Sequence, residues 1–592
     1  MKRTYAIDFE TYYDSKVSVK DLGAEAYTRH PDYYAGMVSI VGEDVRFVGK
    51  PKDAPWHKLA GGVWIAHNVQ FDRWVTRRLQ EDGTIPQVYP SRWVDTTAIP
   101  AYLQVSRDLA NASRVLLGKT VDKAVRTKMS GRHFEELPAD RWQILCDYAL
   151  KDSDLCYELY KTHAHKLPDH EWKLSELTVD QADFGVQINE PLLATYLSTV
   201  RETERSLLSQ IPWRGDYAAL SQSAFRQQLA SDGIVDVPKS TQASSPEWVE
   251  WSNRRSNDFA YINAFVQLRR LKKHLATLQN ISNRVDSDGV LHFSMKYCGS
   301  RVTGRWAGDA GINMQNLPKD ELFGAKIRNL FIARPGHKFI IADLSQIEPR
   351  CLAEVCDDRA FLDLVNKGMD VYEAHARSSM GYSDERPLKT VDPAMRQIAK
   401  ARVLGLGYGC GAERFRDFAA LFGMDYTEEE AVNQVRAYRS TNPRITDLWH
   451  TLNSRLRRSK LGDLSIPLPT GRNLMYYDIR EEEVKIKGEY RTALRAITER
   501  GRNSREMFWG SKLVENMIQA IARDVFADAM LRIDAGGIRT CWHVHDELIC
   551  EVPSDQANDA KEFIEQEMSR RNPALPAMPI AVDAHIADYY DK

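Results

Sequence analysis

The 592-residue chain has no apolar run approaching the roughly 18 residues a membrane-spanning helix needs. Met1-Lys2-Arg3 runs straight into Asp8 and Glu10, with no apolar segment of the secretory kind. Both absences point to a cytoplasmic protein with no membrane partner. The 8 cysteines include no Cys-x-x-Cys pair, which argues against a disulfide framework and for reduced thiols. Cys541, His543, His545 and Cys550 lie close in sequence, but their spacing matches no zinc pattern. Charge of one sign is also missing: with a formal net charge of -2, only the local distribution can speak for a nucleic-acid partner. What remains is a globular composition, 43% hydrophobic, in a chain too long for one core and sized for about three to five units.

The chain is organised around Lys338-Phe339-Ile340-Ile341-Ala342-Asp343, an apolar run that ends abruptly in a carboxylate. It reads as a buried strand with Asp343 at its mouth. An Asp there either caps the following turn or, because a buried charge is costly, is paired or holds a cation.

Nearer the start, Tyr5 to Thr11 alternates as a strand, so Asp8 and Glu10 share a face. They are either the solvated side of an edge strand or a cation-holding pair. Val63-Trp64-Ile65-Ala66 delivers Asp72 to the start of an expected helix. Asp147 to Asp154 also reads as helix, with Tyr148 and Asp152 four apart on one face. Four acids and a phenol are the ingredients of two-metal phosphodiester hydrolysis, in which hard oxygen ligands suit Mg2+ or Mn2+. Asp95 and Asp154, also acidic, read as structural.

From about Lys166 to Ser300 the pattern is helical and poor in glycine. Arg254, Arg255, Arg269, Arg270, Lys272, Lys273 and Arg284 form a basic run, either a solvated face or a phosphate-backbone footprint. Gly299-Ser300-Arg301-Val302-Thr303-Gly304-Arg305-Trp306 and then Gln315-Asn316-Leu317-Pro318 place small, basic and amide residues where they can reach a minor groove. Arg396, Lys400 and Leu404 recur at four-residue spacing, setting two cations and an apolar residue on one helix face. Cys541 to Cys550 alternates around a polar centre, placing Asp546 and Glu547 at or near a hairpin turn.

Asp8-x-Glu10, Asn68-x-x-x-Asp72 and Tyr148-x-x-x-Asp152 resemble, in order, the motifs of DEDDy 3'-5' exonucleases. Asp343-Leu-Ser-Gln-Ile-Glu348, Arg396-x-x-x-Lys400 with Tyr408-Gly409, and His545-Asp546-Glu547 resemble motifs A, B and C of family A (DNA polymerase I-like) DNA polymerases. Arg301-x-Thr-Gly-Arg305 and Gln315-Asn-Leu-Pro318 match that family's primer-contacting segment. Tyr438-Arg439, Asn442-Pro443 and Leu468 to Arg472 resemble its bacteriophage members.

The resemblance implies an α/β multidomain chain: an RNase H-like exonuclease domain over 1–165, then a right-hand polymerase domain over 166–592. Within the latter it implies a thumb at about 200–300, a palm at about 300–385 and 510–592, and fingers at about 386–509. It implies that Asp8, Glu10, Asp72 and Asp152 hold one metal pair while Tyr148 orients water. Asp343, Asp546 and the Leu344 carbonyl would hold another pair of Mg2+ ions. Arg396 and Lys400 would clamp a triphosphate, with Lys400 as a proton donor to pyrophosphate. Leu404, Gln346 and His545 would line the nucleotide, Tyr408 would stack near the templating base, and Glu348 would crowd a ribose 2'-oxygen. Arg305, Gln315, Asn316 and Gln519 would touch primer-template DNA. Leu404 departs from the Phe or Tyr of many relatives, so dideoxynucleotide discrimination and insertion rate do not carry over.

The implied activity is template-directed DNA synthesis from dNTPs with proofreading, in replication of a phage genome in a host cytoplasm. No 5'-nuclease domain is expected ahead of Asp8. A processivity factor, helicase or primase partner leaves no recognisable trace. A repair exonuclease, a DNA-gripping scaffold and a single-subunit RNA polymerase explain fewer of these residues together.

Overall fold

The computed structural model describes the chain except residues 1, 121–123, 244, 310 and 487. Five strands, β1 (Thr4–Thr11), β2 (Ala35–Gly42), β3 (Arg46–Gly49), β4 (Val63–Ala66) and β5 (Arg92–Asp95), form a sheet in the order β3-β2-β1-β4-β5. β1 is therefore central, antiparallel to β2 and parallel to β4, which removes the edge-strand reading of Asp8 and Glu10. Tyr5, Ala6, Ile7 and Phe9 are buried along it. Helix Ala139–His163 packs on β1 and β2. At the end of β4, Asn68 adopts a left-handed φ of 85° and turns the chain at once into helix Val69–Glu81.

Helices Glu190–Ser209 and Ala260–Ser282 pack together over an aromatic core of Trp213, Phe225, Trp251, Tyr261 and Phe265. The basic run is partly paired within the chain. Arg254 and Arg255 pair with Asp236, Lys272 pairs with Glu204, Arg269 donates to the Thr241 carbonyl, and Arg284 is 2% exposed with its guanidinium on the Asp21 carbonyl. Folding brings acids and carbonyls to these cations that sequence proximity hides. Arg270 and Lys273 remain exposed on the long helix.

The apolar run 339–342 is the strand His337–Leu344, in an antiparallel sheet ordered Thr540–Val544, Glu547–Pro553, His337–Leu344, Val582–Ala587. Its alternation splits two cores. Phe339 and Ile341 pack with Trp542 and the aromatic helical core, whereas Ile340 and Ala342 face the core of helix Gly510–Ala535. Each large aliphatic or aromatic side chain buried this way contributes about 1.5–3 kcal/mol.

Within the stretch expected as fingers, helices Pro393–Gly405, Glu428–Thr441 and Pro443–Arg458 precede a second antiparallel sheet of Leu464–Pro467, Asn473–Ile486, Glu489–Ile497 and Glu506–Met507. Gln104 docks this sheet onto the N-terminal unit, donating to the Met475 carbonyl (3.2 Å) and accepting from its N–H (2.9 Å). Among the described residues, no helix is long and apolar enough to cross a membrane.

A buried ion pair ties helix Gly510–Ala535 to helix Asp169–Phe184. Arg523, from helix Gly510–Ala535, meets Glu171 at 2.8 and 2.9 Å through both guanidinium nitrogens, and the Tyr297 hydroxyl donates to the same carboxylate at 2.6 Å. Burial alone would raise the Glu171 pKa, but Arg523 holds it down to about 2. A folded-state pKa below the unfolded value gives stability that is complete above about pH 4.5 and is lost as pH falls toward 2. Glu171→Gln leaves a buried guanidinium underpaired and is expected to cost about 3 kcal/mol at neutral pH. Thermal unfolding checks this, and the deficit relative to wild type should shrink below pH 4.5; an equal deficit at every pH sinks the assignment.

Candidate active sites

Asp343 ends its strand opposite Glu547 on one neighbour and Asp583 on the other. Asp546 sits in the turn between Thr540–Val544 and Glu547–Pro553, and its carbonyl accepts from the Leu344 N–H at 3.0 Å. Acids from separate segments are thus fixed by the sheet itself. Burial and the neighbouring Asp343 push Asp546 up to about 7. Burial also raises Asp343, with Lys592 opposing.

The turn is braced from outside. Gln315, 3% exposed, donates to the His543 carbonyl and accepts from the His545 N–H, both at 2.8 Å. That amide is committed to the turn, while Asn316 beside it is exposed. His545 takes a left-handed φ of 57°, and burial, then Arg305, lowers its pKa. Arg305 ion-pairs with Glu348, whose other oxygen accepts from the Tyr408 hydroxyl at 3.1 Å. Three sequence-separated candidates therefore meet at one carboxylate. The turn carrying Arg305 is held by Arg472 on the Thr303 carbonyl (2.9 Å) and Arg523 on the Gly304 carbonyl (3.1 Å). Gly304, at φ 73°, takes a left-handed backbone that L side chains rarely adopt, and a Cβ there would lie 2.5 Å from the Arg472 guanidinium.

Helix Pro393–Gly405 carries Arg396, Lys400 and Leu404 as the spacing predicts. Arg396 contacts Asp370 at 3.2 Å, and the Lys400 ammonium lies 4.9 Å from the Phe422 ring centre. Leu404 is 37% exposed. Gln346 enters the next helix at φ 55° and reaches Asp370 at 3.3 Å. Gln519, on helix Gly510–Ala535, donates to Glu515 at 3.4 Å.

The N-terminal acids form a second cluster. Asp72 accepts from the Phe9 N–H at 3.2 Å, which places it against the backbone between Asp8 and Glu10. Asp8 is raised well above the carboxylate range by burial and by Glu10, Asp72 and Asp152. Glu10 is pushed up to about 7 by burial, with Arg126 opposing and Asp152 adding. Burial, then Asp152, raises the Tyr148 phenol. Asp95 and Asp154 have structural partners: Asp95 accepts from the Asn68 and Thr97 N–H groups, and Asp154 pairs with Arg46. Arg126, Asp370 and Lys592 escape motif reading because each acts through a contact distant in sequence.

The acids fit divalent cations by their chemistry. The Asp8 Oδ2 atom is buried without a hydrogen-bond partner, and carboxylates with raised pKa values crowd both clusters. Such hard oxygen donors suit Mg2+ or Mn2+. Among the described residues, no group of three or more His, Cys, Asp or Glu side chains is placed so that it could hold a metal ion.

The profile of DNA polymerase family A matches residues 239–592. The chain belongs to that family. It is 24% identical to a DNA polymerase of Bacillus phage SP02 across all of both chains. It is also 26% identical to DNA polymerase I of Aquifex aeolicus, over 89% of this chain and 88% of that one. A solved structure described as the POL domain of Pol1 from M. smegmatis, in complex with DNA primer-template and dNTP, shares the fold with a TM-score of 0.68 at 19% identity. It covers 100% of this chain and 96% of that one. The chain is thus a phage-like family A DNA polymerase.

For this family member the Gln315 brace has a direct consequence. Gln315→Ala leaves the His543 carbonyl and His545 N–H unpaired and is expected to cost about 2 kcal/mol of stability. Misplacing Asp546 should also slow single-turnover nucleotide addition about tenfold or more. Thermal unfolding and rapid-quench primer extension read both effects, and wild-type values in both would refute the brace.

Proposed function

We propose that the chain extends a primer 3'-hydroxyl with dNTPs on a DNA template and removes mispaired ends at a separate 3'-5' exonuclease site, in replication of a phage genome. The observation that carries this reading is the convergence of Asp343 and Asp546 at one end of one sheet, beside Arg305, Glu348 and Tyr408. In this reading the Asp343 sheet is the palm, the helices from Pro393 to Arg458 belong to the fingers, and those from Glu190 to Ser282 form the thumb. The five-stranded sheet with helix Ala139–His163 is an RNase H-like exonuclease domain.

Asp343, Asp546 and the Leu344 carbonyl would hold two Mg2+ ions. When bound, these would lower the pKa of the primer hydroxyl and offset charge on the reacting phosphate. Arg396 and Lys400 receive the triphosphate, and the Lys400 ammonium protonates the departing pyrophosphate. Their present contacts with Asp370 and Phe422 must be exchanged for phosphate oxygens. Leu404, Gln346 and His545 border the nucleotide, and Tyr408 lies beside the templating base. Arg305, Asn316 and Gln519 meet the primer-template minor groove. Gln315 serves the same strand path through the turn it braces. In the exonuclease site Asp8, Glu10, Asp72 and Asp152 would hold the cations, and Tyr148 would orient the attacking water.

Glu348 selects the sugar. Arg305 and Tyr408 pin its carboxylate from two sides, so it cannot swing away from an added 2'-oxygen.

Primer extension with Mg2+ tests the assignment. Asp546→Asn should lose synthesis while keeping degradation, and Asp8→Ala should lose degradation while keeping synthesis; synthesis surviving Asp546→Asn overturns the metal assignment. Glu348→Ala should raise ribonucleotide incorporation relative to deoxynucleotide by about tenfold or more. Unchanged sugar discrimination removes Glu348 from that role.

A further inference from the structure

The tail of the chain reaches back into the Asp343 site. The Lys592 ammonium lies 3.3 Å from Glu547 Oε2 and 3.6 Å from Asp343 Oδ2. It is withdrawn from solvent and has no hydrogen-bond partner, so charge rather than a fixed donor geometry holds it. Glu547 lies directly across the sheet from Asp343.

The segment bearing Lys592 is anchored independently. The Tyr590 hydroxyl donates to Glu547 Oε1 at 2.7 Å and accepts from Arg328 at 3.0 Å. Arg328 also donates to the Lys592 carbonyl and, at 2.8 Å, to the Leu317 carbonyl. Tyr590 is fully buried, at 0% exposure. The ammonium is therefore delivered to the acids by a buried scaffold that leads back to the same loop as Gln315.

The electrostatics give this placement a consequence. Asp343, Asp546, Glu547 and Asp583 crowd one end of the sheet. Lys592 lowers that repulsion at Asp343, the oxygen donor that a divalent cation also needs. An ammonium and a divalent cation drawn to one carboxylate oppose each other's binding, and linkage makes the opposition reciprocal.

Resting on the reading of Asp343 and Asp546 as metal-holding residues, we propose that Lys592 is a positioning residue of that site. Its ammonium stands in as counter-charge while no divalent cation is bound and yields Asp343 when one enters, withdrawing onto Glu547. Lys592 thereby sets the divalent-ion affinity of the polymerase site and keeps the acids assembled between catalytic cycles.

The test uses full-length protein carrying Asp8→Ala and Glu10→Ala, so that the N-terminal acids do not contribute. Mn2+ binding is followed by electron paramagnetic resonance of the free ion, and unfolding is followed thermally in EDTA and in saturating Mn2+. Lys592→Met should bind Mn2+ about fivefold more tightly, as expected for losing one partly buried, modest ion pair. It should unfold at lower temperature than its parent in EDTA, with the gap closing in Mn2+, and Lys592→Arg should restore parental behaviour in both. Unchanged or weaker Mn2+ binding by Lys592→Met overturns the proposal. Asp343→Asn in the same background separates the two levels. If it erases a binding site that Lys592→Met leaves unaltered, the Lys592 proposal alone falls; if it erases none, the metal-site reading falls with it.

Discussion

Buried carboxylates repel one another, and the architecture around both clusters is arranged to tolerate that repulsion. At the Asp343 site the cost is met by a sheet whose cross-strand hydrogen bonds hold Asp546 in place whatever its charge, and by cations from outside the sheet, Lys592 and Arg305. At β1 the same problem is met by setting Asp72 on the Phe9 N–H and bringing Arg126 near Glu10. In the two-metal reading proposed above, cation binding would relieve this repulsion rather than create it.

The two clusters are structurally joined. Glu171 follows the N-terminal unit and meets Arg523, which also supports the turn carrying Arg305. Gln104 fastens that unit to the sheet of residues 464–507, and Arg472, just before the strand Asn473–Ile486, holds the Thr303 carbonyl. The loop 315–317 reaches the Asp546 turn through Gln315 and the Lys592 segment through Arg328. Few contacts thus tie distant segments to one small region, as a site needing accurate placement requires.

Much of the candidate site is legible locally. Asp343 at the mouth of an apolar run, Asp8 and Glu10 on one strand face, and Lys400 four residues from Arg396 follow from periods of two and 3.6, which local sequence carries. The sheet of 464–507 is not legible in this way. Its long strand Asn473–Ile486 includes Arg480-Glu481-Glu482-Glu483 and is largely solvated in its outer half, so apolar alternation fades where the hairpin projects. The basic run of 254–284 misleads for the opposite reason. Its charges are conspicuous in sequence, but Asp236, Glu204 and the Asp21 carbonyl neutralise or bury several of them.

By itself the sequence determined which residues have the chemistry and which element carries each, since hydrogen-bond period and hydrophobic patterning act over a few residues. Only the tertiary structure decided which charges meet. Glu348 with Arg305 and Tyr408, and Asp343 with Lys592, are pairings across long stretches of chain. They are set by strand order and by where burial leaves an acid without water, quantities that no local pattern encodes.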